Sequence, residues 1–340
     1  MNKGVISRGI VCPIVREGDN IVEIVVESLL GSGVELNDMD VVGITESLVA
    51  RSAGLYVSVD GIAEDVRTKF GADPALVLLE PIYSRNRFSM ILKGIARAAS
   101  KITLVMPEFD EVGNPRGVNR FTGVNIEEYY KELCASENCA CEVVYDRSEA
   151  PADADGVIWC GLHLTEDVCV VPGMKTLKDI CSDLNPDVGL LGSNKATEER
   201  LKLFPTTALA DRVCEAVKAG VKERTGRDVV VLVYGDGCFK DPVGGIWEFA
   251  DPMTCPGYTD KDLLESTPAE VKLKYWIDRT DASDEEITEM VGRQHAAREK
   301  GMNAMGTTPR IYKDLLASLM DLTSGSGDRG TPVILVQNYF

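Results

Sequence analysis

The residue with the clearest chemical setting is Asp236. The run Asp228-Val229-Val230-Val231-Leu232-Val233-Tyr234 is apolar, β-branched and bounded by turn residues, the strongest strand signal in the chain. It leads straight into Gly235-Asp236-Gly237-Cys238. Glycine lets backbone and ligand approach closely, and a carboxylate at a strand end can hold a metal together with the phosphate it carries. Asp-Gly is equally a hairpin signal, so the motif alone reads either way. Downstream, Lys240-Asp241-Pro242-Val243-Gly244-Gly245 adds another acid and more glycine. A second candidate is Ser324-Gly325-Ser326-Gly327-Asp328-Arg329-Gly330, whose backbone N–H groups could wrap a phosphate. It has neither the G-K-[ST] ending of a P-loop nor a G-x-G-x-x-G fingerprint, and by itself it reads as readily as a surface turn.

Ser84-Arg85-Asn86-Arg87 opens an amphipathic stretch over 84–100, with Phe88, Ile91, Leu92 and Ile95 on one face. Cations beside a helix N-terminus are unfavourable unless an anion is near, so Arg85 and Arg87 mark either an anion site or a solvated basic turn. The chain has two histidines, His163 and His295. Neither sits in a nucleophile context such as G-x-S-x-G, which argues against hydrolase chemistry. Of ten cysteines, only Cys134, Cys139 and Cys141 are grouped, as C-x4-C-x-C. Structural zinc favours C-x2-C pairs, so a metal reading is weak.

The elements that must position these residues follow from pattern. Strands are expected over Ile10–Val15, Asp40–Ile44, 102–106, Val157–Cys160, Val168–Val171, Asp228–Tyr234 and Pro332–Gln337. Helices are expected from Ile21 to Leu29, over 84–100 and 207–225, and from Ile311 to Leu322. Thr45 to Arg51 is a polar stretch leaving a strand end, where ligand groups commonly sit. Pro107 to Asn125 is long, irregular and rich in Gly, Asn, Arg and charge. Asp146 to Gly156 is an acid-rich connection.

Composition narrows the class. The 340 residues are 44% hydrophobic and 26% charged, an ordinary globular mixture with room for about two domains. The net charge of −18 repels nucleic-acid phosphates, and no basic patch offsets it. No run approaches the ~20 apolar residues of a membrane span. Arg8 and Arg16 interrupt the stretch where an export signal would run. With free thiols, this leads us to expect a cytoplasmic protein.

Three pieces together resemble the GTP-dependent F-420 γ-glutamyl ligases. Gly9-Ile10-Val11-Cys12-Pro13-Ile14-Val15-Arg16-Glu17-Gly18-Asp19 is similar to the family's G-x-P-x-I-x-x-G-D stretch, whose backbone contacts the guanine nucleotide. Asp40 to Gly54 resembles its strand followed by S-x-x-x-S-K-x-x-G. Arg51 stands there at the phosphate-binding basic position, and Glu46 where a small hydroxyl residue is usual. Gly226 through Phe239 resembles the strand ending in T-D-T-x-G-R-x-F, Lys274 to Arg279 the K-D-W-I-G-R stretch, and Ser324 to Pro332 the glycine-rich nucleotide loop. The matches occupy both ends of the chain and leave much of 75–185 without a counterpart.

The resemblance implies an α+β fold of two interleaved subdomains with mixed or antiparallel sheets. It divides the chain into 1–185, carrying an insertion at 80–185, and 186–340. It implies a homodimer and an enzyme that uses GTP and Mg²⁺ or Mn²⁺. A substrate carboxylate is phosphorylated, and an amino-acid amine attacks the acyl phosphate to make an amide. Asp236 matches the metal-binding aspartate within one position. A second metal ligand falls at Ser193 or Asn194, in Gly189-Leu190-Leu191-Gly192-Ser193-Asn194, and a third near Ser326; both replace family carboxylates or amides. The nucleotide is expected against Val11, Pro13, Ile14, Glu46, Arg51, Gly325, Ser326, Gly327 and Asp328. Arg85, Arg87, Arg116 and Arg120 are the candidates for an acidic small-molecule substrate. The rival readings are a ligand-binding protein that kept the fold without catalysis, and a redox or transferase enzyme using Cys160 or Cys238.

Overall fold

The computed structural model describes residues 4–81, 85–106, 118, 123–161, 173–235, 239–240, 247–248, 254–267, 276–278, 280–297, 311–324 and 330–340. The first strand, β1 (Ile6–Ile10), lies earlier than the expected run over Ile10–Val15. Past Ile10 the ladder stops, because Pro13 has no N–H to donate and Cys12 N–H turns to the Gly330 carbonyl at 3.0 Å. Asn20 caps α1 (Ile21–Gly31) through its side-chain oxygen, which accepts from Glu23 N–H at 3.3 Å. Next come β2 (Val41–Thr45) and a short helix, α2 (Glu46–Ser52), into which the polar stretch after the strand folds. The chain continues through β3 (Tyr56–Ser58), α3 (Val59–Phe70), β4 (Ala75–Leu79), α4 (Arg85–Ala98), β5 (Lys101–Val105), α5 (Ile126–Ser136), β6 (Ala140–Val144), β7 (Gly156–Trp159) and β8 (Lys175–Thr176). Phe88, Ile91, Leu92 and Ile95 of α4 are all fully buried, as their spacing predicts. The expected strand at Val168–Val171 lies outside the described residues.

The remainder is β9 (Ser193–Thr197), β10 (Arg200–Leu203), α6 (Thr207–Thr225), β11 (Val230–Tyr234), β12 (Phe239–Lys240), β13 (Trp247–Glu248), β14 (Gly257–Tyr258), α7 (Lys261–Leu264), α8 (Asp284–Ala297), α9 (Tyr312–Ser324) and β15 (Val333–Gln337). A five-stranded sheet has the order β1-β15-β2-β11-β14. Its strands come from both ends of the chain. Only β2 and β11 run parallel; the other pairs are antiparallel. Both faces are covered. Val42, Ile44, Val231 and Val233 pack with Val25 and Leu29 of α1 and Val217 of α6. Val41, Val230, Leu232 and Ile334 pack with Leu316 and Met320 of α9. Burial on both sides is why β2 and β11 read as continuous apolar runs.

A second five-stranded sheet, β6-β5-β4-β7-β8, is parallel throughout. In chain order its strands lie 3-2-1-4-5, the doubly wound arrangement. α3, α4 and α5 cover one face, and their core runs on without a break into Leu190, Leu191, Leu201 and Leu203. A smaller antiparallel sheet, β3-β10-β9, joins the two units. The architecture is α+β with mixed and antiparallel sheets, and the middle of the chain, on which none of the sequence motifs falls, contributes the wholly parallel one.

Candidate functional site

Four chain segments reach one edge of the mixed sheet. Thr45, the last residue of β2, lies opposite Tyr234, the last of β11. Because these strands are parallel, Glu46 and Gly235 leave at the same end. β15 starts at that end: Val333 faces Ile44, and the Pro332 carbonyl accepts from Thr45 N–H at 3.0 Å. Ile10 faces Val333, so Val11 to Ile14 emerge there too. The Tyr234 hydroxyl donates to the Pro332 carbonyl at 3.2 Å and ties β11 to the start of β15. Asp236 and Gly325, Ser326, Gly327 and Asp328 lie outside the described residues. Their described neighbours Gly235 and Gly330 both stand at this edge.

Polar side chains gather where α2 meets β9 and β10. Glu46 opens α2 and is 2% exposed. Asn194 Nδ2 donates to Glu46 Oε1 at 3.3 Å, so two sequence candidates 148 positions apart are in contact. The neighbouring Ser193 is turned away, its hydroxyl donating to the Leu190 carbonyl at 2.6 Å. That leaves Asn194 as the residue of this pair that faces the site. Lys202 is 9% exposed and its ammonium donates to the Ser47 hydroxyl. A buried carboxylate and a buried ammonium are each costly unless partnered. Here both stand next to the edge from which the glycine-bearing loops depart.

The other candidates frame this cluster. Val11 is 71% and Ile14 75% exposed, which gives the edge an apolar lip. Arg51 is exposed, five residues after Glu46 and about 7.5 Å along the helix axis from it. The segment after Ile14 is laid against the end of α2. Gly18 N–H donates to the Ser52 carbonyl at 2.9 Å, and Gly54, at φ +66°, leaves room for the Glu17 carboxylate where a Cβ would sit 2.7 Å from it.

Arg87 is 4% exposed and donates through Nη1 to the Leu191 carbonyl at 3.0 Å, fastening α4 to the turn before β9. The side chain of Arg85, and Arg116, Arg120, His163, Cys238 and Asp241, lie outside the described residues. Cys160 is fully buried; burial first, then the nearby Glu80 charge, pushes its thiol up, the setting of an inert cysteine.

Oxygen donors such as Glu46 and Asn194 suit a hard divalent cation. Among the described residues no group of three or more His, Cys, Asp or Glu side chains could hold a metal. The described donors therefore fit part of such a site. One further carboxylate stands near it. Asp314 of α9 bonds the Thr254 hydroxyl at 3.3 Å, and Gly235 N–H donates to the Thr254 carbonyl at 2.9 Å. Lys202, Ser47 and Asp314 were not singled out from sequence. The available signal was the alternation Leu201-Lys202-Leu203, a lysine facing away from two buried leucines on a four-residue strand.

The model of the family described as F420-0:Gamma-glutamyl ligase matches residues 9–338. The chain belongs to this family. Its function is γ-glutamyl ligase-like, on small-molecule substrates. No curated protein matches the chain. The edge built by Ile10–Ile14, Glu46, Gly235 and Gly330 lies wholly within the span matched to the F-420 γ-glutamyl ligases, as does the parallel sheet. Among the described residues no helix is long and apolar enough to cross a membrane.

Proposed function

We propose that this F-420 γ-glutamyl ligase family member joins a substrate carboxylate to an amino-acid amine in a reaction driven by GTP and Mg²⁺ or Mn²⁺. The observation that carries the reading is the convergence of four segments on one sheet edge, beside the Glu46–Asn194 and Lys202–Ser47 pairs. Bound nucleotide and metal supply the phosphoryl group and charge neutralisation that turn the carboxylate into an acyl phosphate, from which the amine displaces phosphate.

The protein's own groups do the holding. Asp236, Asn194 and Ser326 offer oxygen to the metal, and Glu46 adds a carboxylate beside Asn194. Lys202 and Arg51 offer positive charge to phosphate. The lip of Val11, Pro13 and Ile14 and the loop of Gly325, Ser326, Gly327 and Asp328 enclose the nucleotide. Arg85, Arg87, Arg116 and Arg120 belong to the acidic-substrate side of the same reading. The homodimer and the cytoplasmic location are part of this proposal as well.

Isothermal titration of GTP and ATP, each with Mg²⁺ or Mn²⁺, tests it on wild type and Asp236→Ala. GTP binds wild type with a Kd below about 1 mM, and Asp236→Ala weakens it by about tenfold or more. Wild type that binds neither nucleotide at millimolar concentration overturns the reading. Binding without phosphate release, across a panel of carboxylates and amino acids, assigns the chain instead to a nucleotide-binding role that keeps the fold.

A further inference from the structure

The cysteine group that the ligase reading leaves unused becomes a contact cluster at the turn from α5 to β6. Asn138 takes a left-handed conformation at φ +61°. Its N–H donates to the Ala135 carbonyl at 3.0 Å, and Cys139 N–H donates to the Cys134 carbonyl at 3.0 Å. These are the paired bonds of a Schellman cap, which brings the third residue from the helix end against the second residue beyond the cap. In most proteins that contact is between two apolar side chains. Here both are cysteines.

β6 begins at Ala140, and the alternation of a strand sends Cys139 and Cys141 to the same side, toward α5. The Cys134 thiol lies within interaction range of both of their sulfurs, and the Cys139 thiol donates to the Ala140 carbonyl at 3.5 Å. All three are free thiols. Cys134 and Cys139 are buried, whereas Cys141 is partly exposed on β6, the edge strand of the parallel sheet. Among the described residues no group of three such side chains could hold a metal, so the sulfurs do not form a metal cage.

We propose that Cys134, Cys139 and Cys141 form a thiol–disulfide exchange site that reacts with low-molecular-weight disulfides and closes one internal disulfide through Cys134. The Cys141 thiolate attacks one sulfur of R–S–S–R. That S–S bond breaks, a new S–S bond joins Cys141 to one R–S group, and R–S⁻ leaves with the proton that Cys141 gave up. The Cys134 thiol then loses its proton and attacks the Cys141 sulfur, and the second R–S⁻ departs with that proton. Two electrons and two protons pass from the protein to R–S–S–R, giving one protein disulfide and two R–SH. Cys139, in contact with Cys134, can exchange into the bond in place of Cys141.

The surroundings suit this order of events. The hydrogen bond from Cys134, followed by the Lys131 charge, holds the Cys141 thiol below its ordinary range against the opposing effect of burial. Cys134 is pushed up by its interactions with Cys139 and Cys141 and by burial, and so waits as the second thiol. Elsewhere Cys181 is buried, as are Cys214 and Cys255, whose thiols both donate to the Gly257 carbonyl at 3.5 and 3.7 Å, and burial raises each of the three.

The test uses the full chain in a buffer of oxidised and reduced glutathione, quenched with iodoacetamide and mapped by peptide mass spectrometry. One disulfide is expected, linking Cys134 to Cys141 or Cys139, while Cys160, Cys181, Cys214 and Cys255 stay alkylatable only after unfolding. Cys141→Ser slows the reaction by about tenfold or more, and Cys134→Ser leaves a stable glutathione adduct on Cys141. The wild-type map decides the matter even where a variant fails to fold. Three unmodified thiols after prolonged excess of oxidised glutathione, or a disulfide that forms as readily between Cys214 and Cys255 or at Cys160 or Cys181, overturns the proposal.

Discussion

At the scale of single residues, the site rests on two buried polar pairs. Lys202 has little access to water, so its ammonium depends on protein partners, of which the Ser47 hydroxyl is one. Ser47→Ala removes an acceptor and leaves the charge in place, which costs about 1–3 kcal/mol of stability. Lys202→Met keeps the aliphatic stem and removes the charge that needs solvating, so it is expected to cost less than Ser47→Ala while weakening GTP binding by about tenfold. Urea midpoints and nucleotide titration on the same two variants separate these effects. A loss of stability without a loss of affinity in Lys202→Met would make the lysine structural only. Sequence could offer Glu46 and Asn194, because each stands at a recognisable place in a motif. It could not offer Lys202, whose meaning comes from a partner 155 positions away across a sheet.

At the scale of elements, legibility followed length and periodicity. α1, α4, α6 and α9 have several turns of apolar spacing, and each was read within a few residues of its ends. α3, β4 and the turn into β9 were not read. Short apolar pieces such as Ala75–Leu79 have no period of their own, and only their neighbours in the sheet tell strand from helix. The packing of α3 on α4 turns on one glycine. A Cβ added at Gly94 would lie 2.6 Å from Ile62 Cβ, and Ile62 is fully buried. Gly94→Ala therefore forces the two helices apart and is expected to destabilise the protein by about 1–3 kcal/mol. Ile62→Ala keeps that Cβ but removes the Cγ2 that would also lie 2.6 Å away, so Gly94→Ala/Ile62→Ala should recover part of that cost relative to the sum of the single changes, as couplings between touching residues do. Purely additive urea midpoints in this double-mutant cycle would show that the close approach is not what limits the packing.

At the scale of the molecule, a mixed sheet woven from both ends of the chain stands beside a parallel sheet built from the middle. The interleaving was legible because the motifs that resemble the family stand at both ends of the chain. Of the parallel sheet only β5 and β7 were legible as separate strands, since none of the motifs falls on it. What ties the parallel unit to β9 and β10 is partly a charge cluster. Arg97 of α4 bonds Glu137 at the end of α5, Asp60 of α3 and Glu199 before β10, at 2.8, 2.8 and 3.1 Å, and Lys93 also bonds Glu199. The Lys93 hydrogen bond, followed by that of Arg97, holds the Glu199 carboxyl below its ordinary value of 4.5. A carboxyl depressed in the folded state favours folding where it is ionised in both states. That contribution is fully present above pH 4.5 and is lost as pH falls through the lower folded value. Glu199 is largely solvated, so the contribution stays under about 1 kcal/mol. Glu199→Gln should therefore lower the urea midpoint slightly at pH 7 and leave it nearly unchanged near pH 3, narrowing the gap between the two conditions. High salt should shrink the same difference at pH 7, because screening weakens an exposed pair. A variant that loses equal stability at both pH values would mean that Glu199 acts through packing, and that the joint between the two units is held by the continuous apolar core from Val57 to Leu203 alone.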